Sequence, residues 1–186
     1  LNTDVPTIFE YILGIAWYYI SEENINVRKS LNLTLDADLL PLSHASGGDG
    51  DIIVDYGDLT MMLEATLMNK NAQRRSELEP VIRHAANLSI NQINPVITVF
   101  IADELDNNVL NIFRASASIE FEGTNVDGRI KGINIFALKI SEVIRMLSKE
   151  IYVSKLIETI CEYSINNAPQ FINSNWREPM IEFLFD

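Results

Sequence analysis

The run PVITVFIA, Pro95–Ala102, constrains the fold more than any other segment. It is rich in β-branched residues and carries no charge, the signature of a buried strand. Upstream, Asp51–Tyr56 and Leu59–Leu67 read as two strands about a Gly57-Asp58 turn. Thr7–Ile20 reads as an apolar helix, with Pro6 suited to its first turn. Asn71–Leu78 reads as a helix that Pro80 either interrupts or follows as the start of a second one. Residues 31–50 look irregular and end in a glycine-rich loop, Ser43–Gly50. Beyond the buried strand come a helix at Asp106–Arg114 and a strand at Gly132–Leu138. A helix then begins over Ile140–Leu147, with Ile140, Val143, Ile144 and Leu147 on one face, and further helices follow at Val153–Ile165 and Trp176–Phe185. This order predicts an α/β fold, a mixed central sheet flanked by helices. A length of 186 residues suits a single domain spanning 1–186.

Charge restricts function. There are 26 Asp plus Glu against 14 Lys plus Arg, a net charge of −12. A solitary nucleic-acid binder carries a basic surface, because phosphate neutralisation supplies most of its affinity. Yet the imbalance is uneven. Residues 1–50 hold 7 acids and 2 bases, whereas Lys70–Arg83 and Arg129–Lys155 are local cationic zones. Each zone alone reads as a solvated helix face. The single cysteine, Cys161, excludes an internal disulfide and a two-cysteine metal site, and fits a reducing cytoplasm. The longest apolar run, Tyr11–Ile20, is too short to span a bilayer, so no membrane association is expected.

The hairpin carries the chemistry. With Gly57 and Asp58 as a two-residue loop, Asp55 faces Thr60, Ile53 faces Met62, and Asp51 faces Glu64. Two opposed carboxylates repel unless one is protonated or a cation lies between them. Carboxylate oxygens are natural ligands of Mg²⁺. Thr66 shares the face of Glu64. Glu77 and Gln73 lie about one helical turn apart, and His84 follows Pro80. Glu77 could complete a metal shell, and His84 could position or accept a proton. Each residue also has a plainer reading. Asp51 suits a turn, Glu64 a strand edge, Glu77 and Glu10 the surface, and His44 and His84 structural hydrogen bonds. The shared register of Asp51 and Glu64 favours the functional one.

An acid, a strand turn and Glu64-Ala65-Thr66 together resemble the PD-(D/E)XK nuclease motif, with Thr66 where that motif usually has lysine. The longer block PLSHASGGDGDIIVDYGDLTMMLEATLMNKNAQRRSELEPVIRH, Pro41–His84, is similar to the catalytic domain of AlwI-type type IIS restriction endonucleases. That group includes nicking endonucleases and their small partner subunits. Pro95–Arg114 and Ile133–Leu147 are similar in pattern as well. The resemblance implies a PD-(D/E)XK restriction-endonuclease-like core and Mg²⁺-dependent hydrolysis of DNA. It implies Asp51, Glu64 and Glu77 as metal ligands, with the Ala65 carbonyl as a further one, and His84 as the histidine that follows. Glu10 would match an acid on a helix before the core. Lys70, Gln73 or His84 would stand in for the missing lysine.

Full-length members of the group join a DNA-recognition region to such a domain. This chain has the length of the cleavage domain alone and resembles the small subunit of a heterodimeric restriction endonuclease. The resemblance therefore implies a larger DNA-recognising nicking subunit as partner, double-stranded DNA as substrate, and a bacterial cytoplasmic setting. Two other readings stay open: an acidic DNA mimic, and an inactive nuclease fold kept for assembly. The acidic balance adds an expectation of its own, that the chain alone binds DNA poorly.

Overall fold

A computed structural model describes residues 3–22, 25–44, 50–166 and 175–186. The interior of the glycine-rich loop, 45–49, lies outside the described residues. The central sheet has four strands in the order β3-β4-β5-β8: β3 Ile52–Asp55, β4 Thr60–Thr66, β5 Val96–Ala102 and β8 Asn134–Lys139. The β3–β4 pair is antiparallel, and β4–β5 and β5–β8 are parallel, so the sheet is mixed as expected. Every residue of β5 is buried, because helices cover both faces.

Alternation along the strands divides the interior into two cores. Val54, Met61, Leu63, Ile97, Val99, Ile101, Phe136 and Leu138 face one way. They meet α1 (Val5–Ile20), α6 (Ile140–Lys149), α7 (Val153–Ile160) and α8 (Arg177–Phe185). Met62, Phe100, Ala102, Ile135 and Ala137 face the other way. They meet α4 (Leu78–Asn91) and α5 (Asn107–Ala115). Two short antiparallel pairs lie outside the sheet, β1 Leu33–Leu35 with β2 Pro41–His44, and β6 Glu120–Glu122 with β7 Arg129–Lys131. The short helices α2 (Val27–Ser30) and α3 (Lys70–Ala72) complete the set among the described residues.

Local chemistry explains most element boundaries. Asp4 caps α1 by accepting from the Thr7 amide at 2.9 Å, and Pro6 sits in the first turn. In the hairpin, Gly57 has φ +86° and is the only central turn residue with a positive φ, the pattern of a type II′ turn. The observed register pairs Asp55 with Thr60 and Ile53 with Met62, as the counting predicted. Pro80 neither breaks the helix nor starts a new one. Helical backbone runs from α3 through a wide π-type turn, Gln73–Glu77, into α4, with the Leu78 amide bonded to the Gln73 carbonyl. Proline has no amide to donate, and a widened turn just before it accommodates the loss.

Three expectations need correction. Residues 31–50 are not wholly irregular, since they hold β1 and β2. Ile144 is 58% exposed, and the buried positions of α6 are Val143 and Met146, flanked by partly buried Ile140 and Leu147. The α7 helix ends at Ile160 and passes into a second π-type turn, Cys161–Asn166.

Candidate active site

The site forms where β3 stops pairing and β4 continues. The ladder's last pair at this end is Ile52 with Leu63. One step further, the Asp51 side chain replaces the missing strand, and its Oδ2 accepts from the Ala65 amide at 2.8 Å. The Asp51 carbonyl accepts from the Asn32 amide at 2.9 Å, which fixes the backbone as well. Alternation on β4 puts Glu64 and Thr66 on the same face as Met62, toward α4. Both are buried, at 6% exposure. Gly50 lets the entering chain pass close to this face. A Cβ there would meet Met62 Cγ at 2.4 Å and Glu64 Oε1 at 3.1 Å.

The helix after β4 supplies the opposite wall. His84 Nδ1 lies 2.8 Å from Glu64 Oε1. The Thr66 hydroxyl donates to Glu77 Oε1 at 3.1 Å and accepts from the Met68 amide at 3.1 Å. Asp51, Glu64, Thr66, Glu77 and His84 all line one cleft of about 420 Å³, which Glu10 and His44 close from the other side. Five of these groups, Asp51, Glu64, Thr66, Glu77 and His84, were candidates of the hairpin reading, and the structure brings them together.

Crowded carboxylates alter one another's protonation. Burial first, then the Glu64 carboxylate, raises Asp51 from its ordinary 3.8 to about 7, against the lowering effect of the Ala65 amide. Burial likewise raises Glu77, opposed by the Thr66 hydroxyl. The hydrogen bond to Glu64 raises His84, more than its own desolvation lowers it. A raised imidazole favours the protonated form, and the contact with Glu64 fits the positioning role expected of His84.

Glu10 departs from the surface reading. It is buried at 4% exposure, and burial followed by Asp51 and Glu64 pushes its carboxyl up to about 8. His44 Nδ1 approaches Glu10 Oε2 to 3.0 Å, off the hydrogen-bond direction, so this oxygen has no hydrogen-bond partner among the described residues. The sequence held a signal for this. Glu10 is the one charged residue of Val5–Ile20, at the spacing of buried Leu13, Gly14 and Trp17.

Two candidates fall outside the cleft. Gln73 is fully buried, and its Nε2 donates to the carbonyls of Met68 (2.8 Å) and Glu104 (2.7 Å). It pins backbone and cannot polarise water. Lys70 is exposed on α3, beyond the cleft lining. Thr66, by contrast, lines the cleft with a neutral hydroxyl.

The donor set suits a hard divalent cation. Asp51, Glu64 and Glu77 each use one oxygen in the hydrogen bonds above. Among the described residues, no three His, Cys, Asp or Glu side chains converge tightly enough to hold an ion unaided. The expected three-carboxylate set is thus an open one. Mg²⁺ commonly takes one or two carboxylates and completes its shell with water and substrate phosphate, so Asp51 and Glu64 fit it.

Comparison places these features in a family. The fold is similar to the crystal structure of the small subunit (R.BspD6I2) of the heterodimeric restriction endonuclease R.BspD6I. The TM-score is 0.68 at 18% identity, covering 96% of this chain and 88% of that one. A search of curated proteins finds no match. None of the described helices is long and apolar enough to cross a membrane. The AlwI restriction endonuclease family matches residues 1–170, which include the sheet and every side chain of the cleft, and the chain belongs to that family.

Proposed function

We propose that this chain is the catalytic small subunit of a heterodimeric type IIS restriction endonuclease. It hydrolyses one DNA strand near a site recognised by a larger nicking subunit. The observation that carries this reading is the Asp51–Glu64 pair at the end of the β3–β4 ladder, with the Asp51 carboxyl raised to about 7 by burial and its neighbour. Two carboxylates buried side by side oppose folding unless one keeps a proton, and a bound cation relieves them.

Asp51 and Glu64 would hold Mg²⁺, which when bound supplies positive charge against a phosphate and lowers the pKa of water. Ala65 keeps Asp51 in position through its amide, and His84 keeps Glu64 in position through Nδ1. Glu77, tied to Thr66, orients a water on the α4 side of the cleft. The hydrogen bond to Glu64 raises the His84 imidazole, which favours its protonated form and makes it the group to pass a proton to a departing oxygen.

The test is to mix the chain with a site-specific nicking subunit, Mg²⁺ and a duplex labelled differently on each strand. Cutting of the strand left intact by the nicking subunit supports the proposal. Inhibition of nicking would instead identify an acidic DNA mimic. No effect on either strand would identify an assembly subunit.

A further inference from the structure

The chain leaves the cleft wall at Met68 and returns to it at Glu77. Between them, Asn69–Ser76 reads NKNAQRRS, with Lys70, Arg74 and Arg75 and no acid. In a protein of 26 acids and 14 bases, this is an acid-free cationic segment bracketed by two cleft residues. Lys70 and Arg75 are exposed and form no ion pair among the described residues. Arg74 reaches Asp106 at 3.6 Å and also bonds Asn71.

The segment is held in place, unlike an ordinary charged surface turn. Gln73 sits at its centre with no exposed surface, and its Nε2 joins the Met68 carbonyl on the cleft side to the Glu104 carbonyl after β5. The π-type turn follows at once, closed by the Leu78 amide on the Gln73 carbonyl. Arg74 adds its tie to Asp106 at the cap of α5. A buried amide with two short hydrogen bonds thus holds the backbone that carries two unpaired cations between the cleft residues Met68 and Glu77.

We propose that Lys70 and Arg75 form a phosphate-docking lip for the DNA strand entering the cleft, with Gln73 as its positioning residue. The proposal rests on the nuclease reading above and adds where the backbone is held. Cations at this lip offset the repulsion between a polyanion and the carboxylates within, and they read charge rather than sequence. They also give a function to the one cationic zone that abuts the cleft.

The experiment measures binding of a short labelled DNA duplex to the full chain across a salt series, without the partner and with Mg²⁺ present. Each phosphate contact contributes about 0.9 to the slope of log affinity against log salt. Lys70→Ala and Arg75→Ala are expected each to lower the slope by about 1 and to weaken all sequences equally. Arg129→Ala, on a cation already beside Glu120 and Glu122, is expected to leave it unchanged. Gln73→Leu should weaken binding with lysine and arginine intact, while circular dichroism shows the fold retained. If Gln73→Leu unfolds, the Lys70 and Arg75 variants decide alone. Unaltered slopes in both of those variants, or no duplex binding at low salt, would overturn the proposal, as would tighter binding of an RNA duplex with the same slope. Failure of the nuclease reading is separable. It appears as wild-type strand cutting by Asp51→Asn with partner present, whatever the salt slopes show.

Discussion

Asp51 Oδ2 accepts the Ala65 amide at 2.8 Å across fourteen residues of chain, at the point where β3 has ended and β4 has not. A side chain has taken over the role of a strand. This contact sets the Asp51 carboxylate beside Glu64, and it does so through backbone, whose position is fixed by the sheet. Asp51 and Glu64 are therefore held by the sheet, and their mutual repulsion is built in.

That repulsion has a pH signature. Asp51 is raised from 3.8 to about 7 and Glu10 from 4.5 to about 8. Between each pair of values the folded protein holds a proton that the unfolded chain has released, so stability falls as pH rises through this window. His84, also raised, contributes with the same sign. Thermal unfolding without divalent ions should show a melting temperature that increases from pH 8 toward pH 5. Asp51→Asn should remove much of the slope and stabilise the protein by roughly 1–3 kcal/mol at pH 8. A melting temperature that rises with pH over this range contradicts the account.

Glu64→Gln tests the pairing with His84. The hydrogen bond to Glu64 is the largest cause of the raised histidine. Removing the carboxylate charge should shift the His84 titration midpoint downward, as read from its imidazole proton resonances by NMR. An unmoved midpoint would mean that the pair at 2.8 Å is not electrostatically coupled.

Thr66→Val keeps shape and removes the hydroxyl that donates to Glu77 and accepts from Met68. With the site buried, the loss should be about 1–3 kcal/mol in denaturant unfolding. The same variant should raise the Glu77 carboxyl further, because the hydroxyl is the larger of the two influences that lower it, ahead of His84.

Gly50→Ala probes the close approach behind the acids. Its methyl would overlap Met62 Cγ and Sδ at 2.4 and 2.5 Å and press on Glu64 Oε1 at 3.1 Å. Overpacking of this kind costs about 1–3 kcal/mol. Mg²⁺ affinity, measured by calorimetry, should fall together with stability, because Met62 and Glu64 share the face that must move.

Much of this site could be read before the structure, and the reason is local. The Gly57-Asp58 turn fixes register by counting, so the placement of Asp51 near Glu64 needs only the hairpin. Glu77 and His84 follow within two turns of helix. Glu10 and His44 could not be read that way. Helical spacing marks Glu10 for burial on α1, but its meeting with the cleft acids, like that of His44 from β2, depends on tertiary packing that the hairpin register does not encode. The same limit hid β1 and β2, three and four residues long and mostly exposed, with Leu39 between them at φ +62° where glycine is the usual signal. Gln73 misled for a different reason. A polar residue near a site looks like chemistry, and only its burial against two backbone carbonyls shows that it is a fastener.

The central claim is that Asp51 and Glu64 cut DNA. The most direct measurement is single-turnover cleavage of the second strand by the complex with a nicking subunit in Mg²⁺, comparing wild type with Asp51→Asn and Glu64→Gln. The account predicts that both variants assemble on DNA as the wild type does and cut that strand at least about 100-fold more slowly, a barrier increase of about 2.7 kcal/mol. Cleavage at the wild-type rate by either variant would contradict it.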